Sequence, residues 1–181
     1  MTESTTYDVV LLAEQGLSEQ DARQVRGLHD DAPAPLRYHL LLPVEDAAAR
    51  VESAMGSLST GETMMATPVA FDSQDLAGIQ DDLLDHARAE VRASVAAFSA
   101  LDAEITGDIV TADPIDALVA KATAVDAAEV IVLTRSHVVA EFFHLDWTSR
   151  ARRKLGVPVL HLIEHETFDE QAGGPEGISG V

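Results

Sequence analysis

Glu14, Thr134, Ser136, His137, Thr148 and Ser149 are the side chains best placed in this sequence to hold a small polar ligand. Thr134-Arg135-Ser136-His137 follows the apolar run Glu129-Val130-Ile131-Val132-Leu133, so its hydroxyls and imidazole stand just past the carboxyl end of a buried strand. Open α/β sheets take their ligands at that end, and helix N-termini there present free N–H groups to anions. Glu14 follows the first strand in the same way, and Thr148-Ser149 belong to the helix that comes after the loop. The competing reading is that all six are ordinary loop and helix residues, because fold position alone is an analogy and not a site.

Two histidine patterns raise other chemistry. His161-Leu162-Ile163-Glu164-His165 matches the His-x-x-Glu-His pattern of zinc peptidases, which needs a helix so that both imidazoles share a face. The run continues directly from Val157-Pro158-Val159-Leu160, and in a strand its two histidines stand about 13 Å apart, too far for one zinc ion. His137 and His144 sit near Glu141 and Asp146, yet the apolar company of Phe142, Phe143, Leu145 and Trp147 reads as a packing helix. We assign no catalytic residue and no metal ligand. No Gly-x-Ser-x-Gly elbow, Walker phosphate loop or Gly-x-Gly-x-x-Gly fingerprint is present.

The elements that must position these residues alternate between strand and helix. Tyr7-Asp8-Val9-Val10-Leu11-Leu12-Ala13 is a first strand, and Ser18 with Asp21 forms a capping box before a helix ending near His29. Pro33 and Pro35 break the chain, Leu36 to Leu42 makes a second strand, and Pro43 stops it. A partly helical insertion from about 45 to 74 follows, with a short helix from Ala47 to Met55. Leu84, Ala87, Val91, Val95 and Phe98 then recur at helical spacing, so a long helix runs from about Asp75 to Ala100. Asp81, Asp82 and Asp85 read as its solvated start. A strand ending at Thr111, a helix opened by Asp113-Pro114, the strand from Glu129, the helix through Trp147 and a strand at Val157 to Ile163 complete the order. Strands apolar along their whole length imply five parallel strands in a three-layer α/β/α sandwich.

Composition narrows the function classes. The 181 residues fit one domain at 1–165, followed by a flexible, glycine-rich tail at 166–181. Hydrophobic residues make up 46% and no apolar run reaches a membrane span, so no membrane partner is expected. With 31 acidic against 12 basic residues, a net charge of −19 repels phosphate backbones and disfavours nucleic acid. The chain has no cysteine and its start lacks a secretion signal, which fits the cytoplasm. Arg150, Arg152, Arg153 and Lys154 cluster in the last turns of a helix, where cations suit the macrodipole. The alternative use of Arg150, Arg153 and Lys154 is a docking patch for an acidic protein partner.

Taken in order, these segments resemble the universal stress protein domain, and more weakly the wider adenine-nucleotide-hydrolase-like, Rossmann-like fold, over Tyr7 to Ile163. Ala112-Asp113-Pro114-Ile115-Asp116-Ala117-Leu118 is similar to the family's Gly-Asp-Pro helix start, and Val157-Pro158-Val159-Leu160 to its closing strand. Val130 to His137 is similar to its strand and Gly-Ser-Arg-Gly-His loop. ATP-binding members carry Gly-x2-Gly-x9-Gly-Ser/Thr, whose bare amides approach the phosphates. Here the first glycine falls on Leu133 or Thr134, the second on Ser136 or His137, and the later Gly-Ser near Trp147-Thr148 or Thr148-Ser149. The family's aspartate after the first strand is replaced by Glu14. Side chains at those positions add bulk where a triphosphate would lie and restrict φ. The resemblance therefore implies a stress-response type of binding or regulatory module, non-catalytic, without tight ATP binding or a required cofactor. It also implies a homodimer joined through the last strand. The alternative is a protein that binds ATP or another adenine nucleotide and hydrolyses it slowly or phosphorylates itself.

Overall fold

The computed structural model describes residues 6–32, 35–44, 73–134 and 141–163, the last segment with side chains from Trp147 onward. Nine elements alternate along them: β1 (Tyr7–Ala13), α1 (Glu19–Gly27), β2 (Leu36–Pro43), α2 (Ser73–Ser99), β3 (Glu104–Val110), α3 (Pro114–Ala124), β4 (Glu129–Thr134), α4 (Glu141–Lys154) and β5 (Val159–Ile163). The strands form one parallel sheet in the order β3-β2-β1-β4-β5. The expected five parallel strands are thus present. Helix α2 starts at Ser73, two residues earlier than the periodicity suggested, and inside the expected insertion. The short helix at Ala47–Met55 and the tail at 166–181 lie outside the described residues.

Local signals explain the helix starts. Ser18 caps α1 as a reciprocal pair: its N–H donates to Asp21 Oδ2 (2.8 Å) and Asp21 N–H donates to Ser18 Oγ (3.2 Å). Asp113 caps α3 by accepting from Ile115 N–H (2.9 Å) and Asp116 N–H (3.0 Å), and Pro114 occupies the first helical position, where a missing N–H costs nothing.

Strand alternation divides the core into two halves. Val9, Leu11 and Ala13 of β1, with Tyr38 and Leu40 of β2, pack on one face against Ala22 and Val25 of α1 and Phe98 of α2. Val10 and Leu12, with Leu41, Val130 and Val132, pack on the other against Ile115 and Leu118 of α3 and Ala151 of α4. β1 is buried from Asp8 to Ala13 because it lies mid-sheet between two helical layers. Each such side chain contributes about 1.5–3 kcal/mol of burial, so the centre of the sheet is the rigid part of the molecule.

Candidate ligand cleft

A cavity of about 780 Å³ opens at the carboxyl ends of the strands. Its wall takes Glu14 and Gln15 from the end of β1, Pro43 and Val44 from the end of β2, and Ala112 and Pro114 from the β3–α3 junction. Helix α2 supplies Ile79, Leu83 and Ala87 beside Asp82, His86 and Glu90, and α4 adds Trp147. The strand order reverses beside β1, whose neighbours β2 and β4 lead to opposite edges, so the cavity lies where doubly wound sheets take ligands.

The width of the cleft is set by a staple between the loop after β1 and α2. Gly16 N–H donates to Glu90 Oε1 (3.2 Å), Leu17 N–H donates to Ser94 Oγ (2.8 Å), and Ser94 Oγ donates to the Glu90 carbonyl (2.8 Å). Position 16 must be glycine for this approach, because a Cβ there would lie 2.9 Å from Glu90 Cβ. Ser94 is fully buried, and its hydroxyl is what satisfies the buried Leu17 amide.

The wall is acidic. Glu14, Asp82 and Glu90 line it together with His86, whose Nε2 lies 3.7 Å from Glu90 Oε1, and no lysine or arginine stands among the described lining residues. Apolar surface from Ile79, Leu83, Val44 and Trp147 completes it. Such a cleft suits a flat, hydrogen-bond-donating ligand held by apolar contact and carboxylate acceptors. A dense negative charge would meet three carboxylates in a wall whose described residues include no lysine or arginine.

The six residues singled out from sequence are distributed as follows. Glu14 stands in the cavity wall. Thr134 is buried at the end of β4, and its Oγ1 lies 2.8 Å from His161 Nε2 on β5. Thr148 is buried on α4, and its hydroxyl has no hydrogen-bond partner among the described residues. Ser149, next along the helix, is exposed. Ser136 and His137 lie outside the described residues, as do the side chains of Glu141, His144 and Asp146. His161 is in strand β5, so the helix that a zinc-peptidase pattern needs does not form around it.

The basic cluster has an internal use. Arg150 Nη2 donates to Asp113 Oδ2 (3.0 Å) and Lys154 Nζ to Asp116 Oδ1 (2.5 Å), which brace the last turns of α4 against the first turn of α3. Arg152 donates to the Val159 carbonyl at 3.2 Å. The Arg150 hydrogen bond, followed by the N–H donors of Asp116 and Ile115, holds the Asp113 carboxyl below the usual aspartate range.

Sequence reading missed the contribution of α2. Asp82, His86 and Glu90 recur every fourth residue and so share one helical face, a polar stripe beside the apolar one. That spacing was visible in the sequence. Which cleft it borders was not, since this depends on how α2 crosses the sheet.

No protein-family model matches the chain, and no curated protein matches it in sequence. Solved structures do match. One, a hypothetical protein whose biochemical function was assigned from its structure, superposes with a TM-score of 0.56 at 13% identity, covering 89% of this chain and 99% of its own. A universal stress protein family protein from Arabidopsis thaliana, solved with AMP bound, gives a TM-score of 0.51 at 13% identity, covering 93% and 97%. With the five-stranded order above, these matches show that the chain has the fold of the Arabidopsis universal stress protein family structure.

Proposed function

We propose that the protein is a binding or regulatory module whose cleft, itself non-catalytic, takes a small, weakly charged ligand of the nucleoside class and discriminates against ATP. The observation that carries this reading is the acidic cavity of about 780 Å³, formed by Glu14, Asp82 and Glu90 beside Trp147 and α2. Its volume is ordinary for a small-molecule site. AMP in the Arabidopsis protein of the same fold supports an adenine-type ligand. The carboxylates argue against a triphosphate, since each one disfavours further negative charge nearby. Ser136, His137, Thr148 and Ser149 belong to this proposal as secondary contacts.

A thermal-shift panel of adenosine, AMP and ATP, each with and without magnesium, tests it. Adenosine or AMP raises the midpoint, with about 2.7 kcal/mol of stabilisation at 100 times Kd, and ATP raises it less. Glu14→Gln with Asp82→Asn narrows the gap between AMP and ATP. A flat response to all three ligands, or ATP as the strongest stabiliser, overturns the reading.

Assembly is part of the same proposal. β5 is a sheet edge among the described strands, and its Leu160 is 38% exposed, one of the few large apolar side chains so placed. A second copy seated on this edge would cover the leucine and continue the sheet, forming a homodimer. Light scattering reads the mass directly. Leu160→Lys shifts a dimer toward monomer, and a monomeric parent chain removes this part of the proposal.

A further inference from the structure

Away from the cleft, β3 turns exposed side chains toward the face of the sheet that carries α3 and α4. Glu104, Thr106 and Asp108 are exposed there in succession, and a line of polar side chains runs inward from Thr106. His39 Nδ1 lies 3.1 Å from Thr106 Oγ1, and His39 Nε2 lies 2.8 Å from Asp8 Oδ1. His39 and Asp8 are 6% and 7% exposed, whereas Thr106 faces solvent. The ladder dictates this alignment: His39 pairs with Thr106 across β2 and β3, and Asp8 lies one diagonal step away on β1.

The chemistry of the line is directional. Asp8 as a carboxylate can only accept, so it fixes the hydrogen of a neutral imidazole on Nε2 and leaves Nδ1 with its lone pair. Thr106 Oγ1–H then donates to that lone pair. A buried acid orients a buried base, and the base faces an exposed hydroxyl, which is the arrangement of an activated oxygen nucleophile. Two cations flank the hydroxyl along the strands. Arg37 donates from Nε to Glu104 Oε1 (2.9 Å) and lies 3.6 Å from Asp8 Oδ1, while Lys121 Nζ donates to Asp108 Oδ2 (2.5 Å). Each cation is paired with a carboxylate of the same strip, so the strip around Thr106 is held in place by ion pairs.

We propose that Thr106, His39 and Asp8 form an acyl-transfer site for small activated esters. Thr106 Oγ1 attacks the ester carbonyl carbon as its proton passes to His39 Nδ1. The bond to the leaving alcohol then breaks, the alcohol takes the proton from His39, and the acyl group remains as an ester on Thr106. Water completes the cycle by giving a proton to His39 Nδ1 and attacking that ester. The carboxylic acid departs and Thr106 recovers its hydrogen. Thr106 and His39 are the catalytic residues, and Asp8 is a positioning residue.

The full-length protein with p-nitrophenyl acetate tests the site through nitrophenolate release, intact mass and peptide mapping of the acetyl group. We expect acetyl on Thr106 in the parent chain, its loss in Thr106→Val and its retention in Thr106→Ser. His39→Gln slows acylation by about 10²-fold or more. Asp8→Asn slows it with the same far-ultraviolet dichroism as the parent, and Asp8→Glu restores part of the rate. Thr106→Val changes an exposed position and so stays folded if the buried variants do not. Acetyl found only on lysines, or an undiminished rate in Thr106→Val, overturns the proposal.

Discussion

Single side chains at buried positions carry the sharpest consequences. Tyr38 is fully buried, and its hydroxyl lies 3.0 Å from His29 Nδ1, whose N–H donates to the Val25 carbonyl at 2.9 Å. His29 Nε2 also contacts the Glu129 carboxylate. Burial pushes the Tyr38 phenol up to about 12; Glu129 and Asp30 push the same way, and Arg26 opposes them. A raised value in the folded state leaves stability intact below the unfolded phenol pKa of about 10 and removes it as pH rises towards the folded value. Urea unfolding between pH 9 and 12 should therefore show a decline that is weaker in Tyr38→Phe. An equal decline in both would locate the alkaline sensitivity elsewhere. Ser94→Ala strips the acceptor from the buried Leu17 amide and should cost about 1–3 kcal/mol, read by the same measurement. Neither role was legible in sequence, where Tyr38 is one letter of a strand and Ser94 a polar interruption in an apolar helix stripe.

Elements meet through contacts that a strand or helix pattern does not announce. Gly107 sits inside β3, where glycine is normally a weakness, because α2 crosses directly above it. A Cβ at 107 would lie 2.5 Å from Val91 Cγ1, and valine is too stiff to turn away. Gly107→Ala should destabilise the protein by about 1–3 kcal/mol, and adding Val91→Ala should recover most of the loss. Additive losses in the double variant would show that the two elements do not meet there. Helix starts were far more legible: Ser18 with Asp21, and Asp113 before Pro114, cap their helices as the sequence suggested, since capping is a contact between residues two or three apart.

Taken whole, the molecule carries a net charge of −19, and most ion pairs among the described residues are exposed, such as Arg23–Glu19 and Arg88–Asp85. Exposed pairs contribute about 0–1 kcal/mol each, so general repulsion among 31 acids outweighs what salt removes from them. Raising ionic strength from about 0.01 M to 1 M shortens the screening length from about 30 Å to 3 Å and should raise the urea midpoint. A falling midpoint would mean that the pairs outweigh the repulsion. Among the described residues no helix is long and apolar enough to cross a membrane.

Continuous apolar runs, a period of 3.6 residues, the capping signals and the proline breaks placed the strands and helices of the described chain, because each arises from neighbours along the backbone. The apolar strands also implied the parallel sheet, since only a sheet covered on both faces buries them. The cleft was decided elsewhere. Glu14 was in view as a strand-end acid, but Asp82, His86, Glu90 and Trp147 come to its cavity from distant parts of the chain. The same holds for Asp8, His39 and Thr106, which three separate strands bring into line. Side-chain identity is local, whereas the distance between two side chains depends on register and helix crossing, and these are settled only when the core packs.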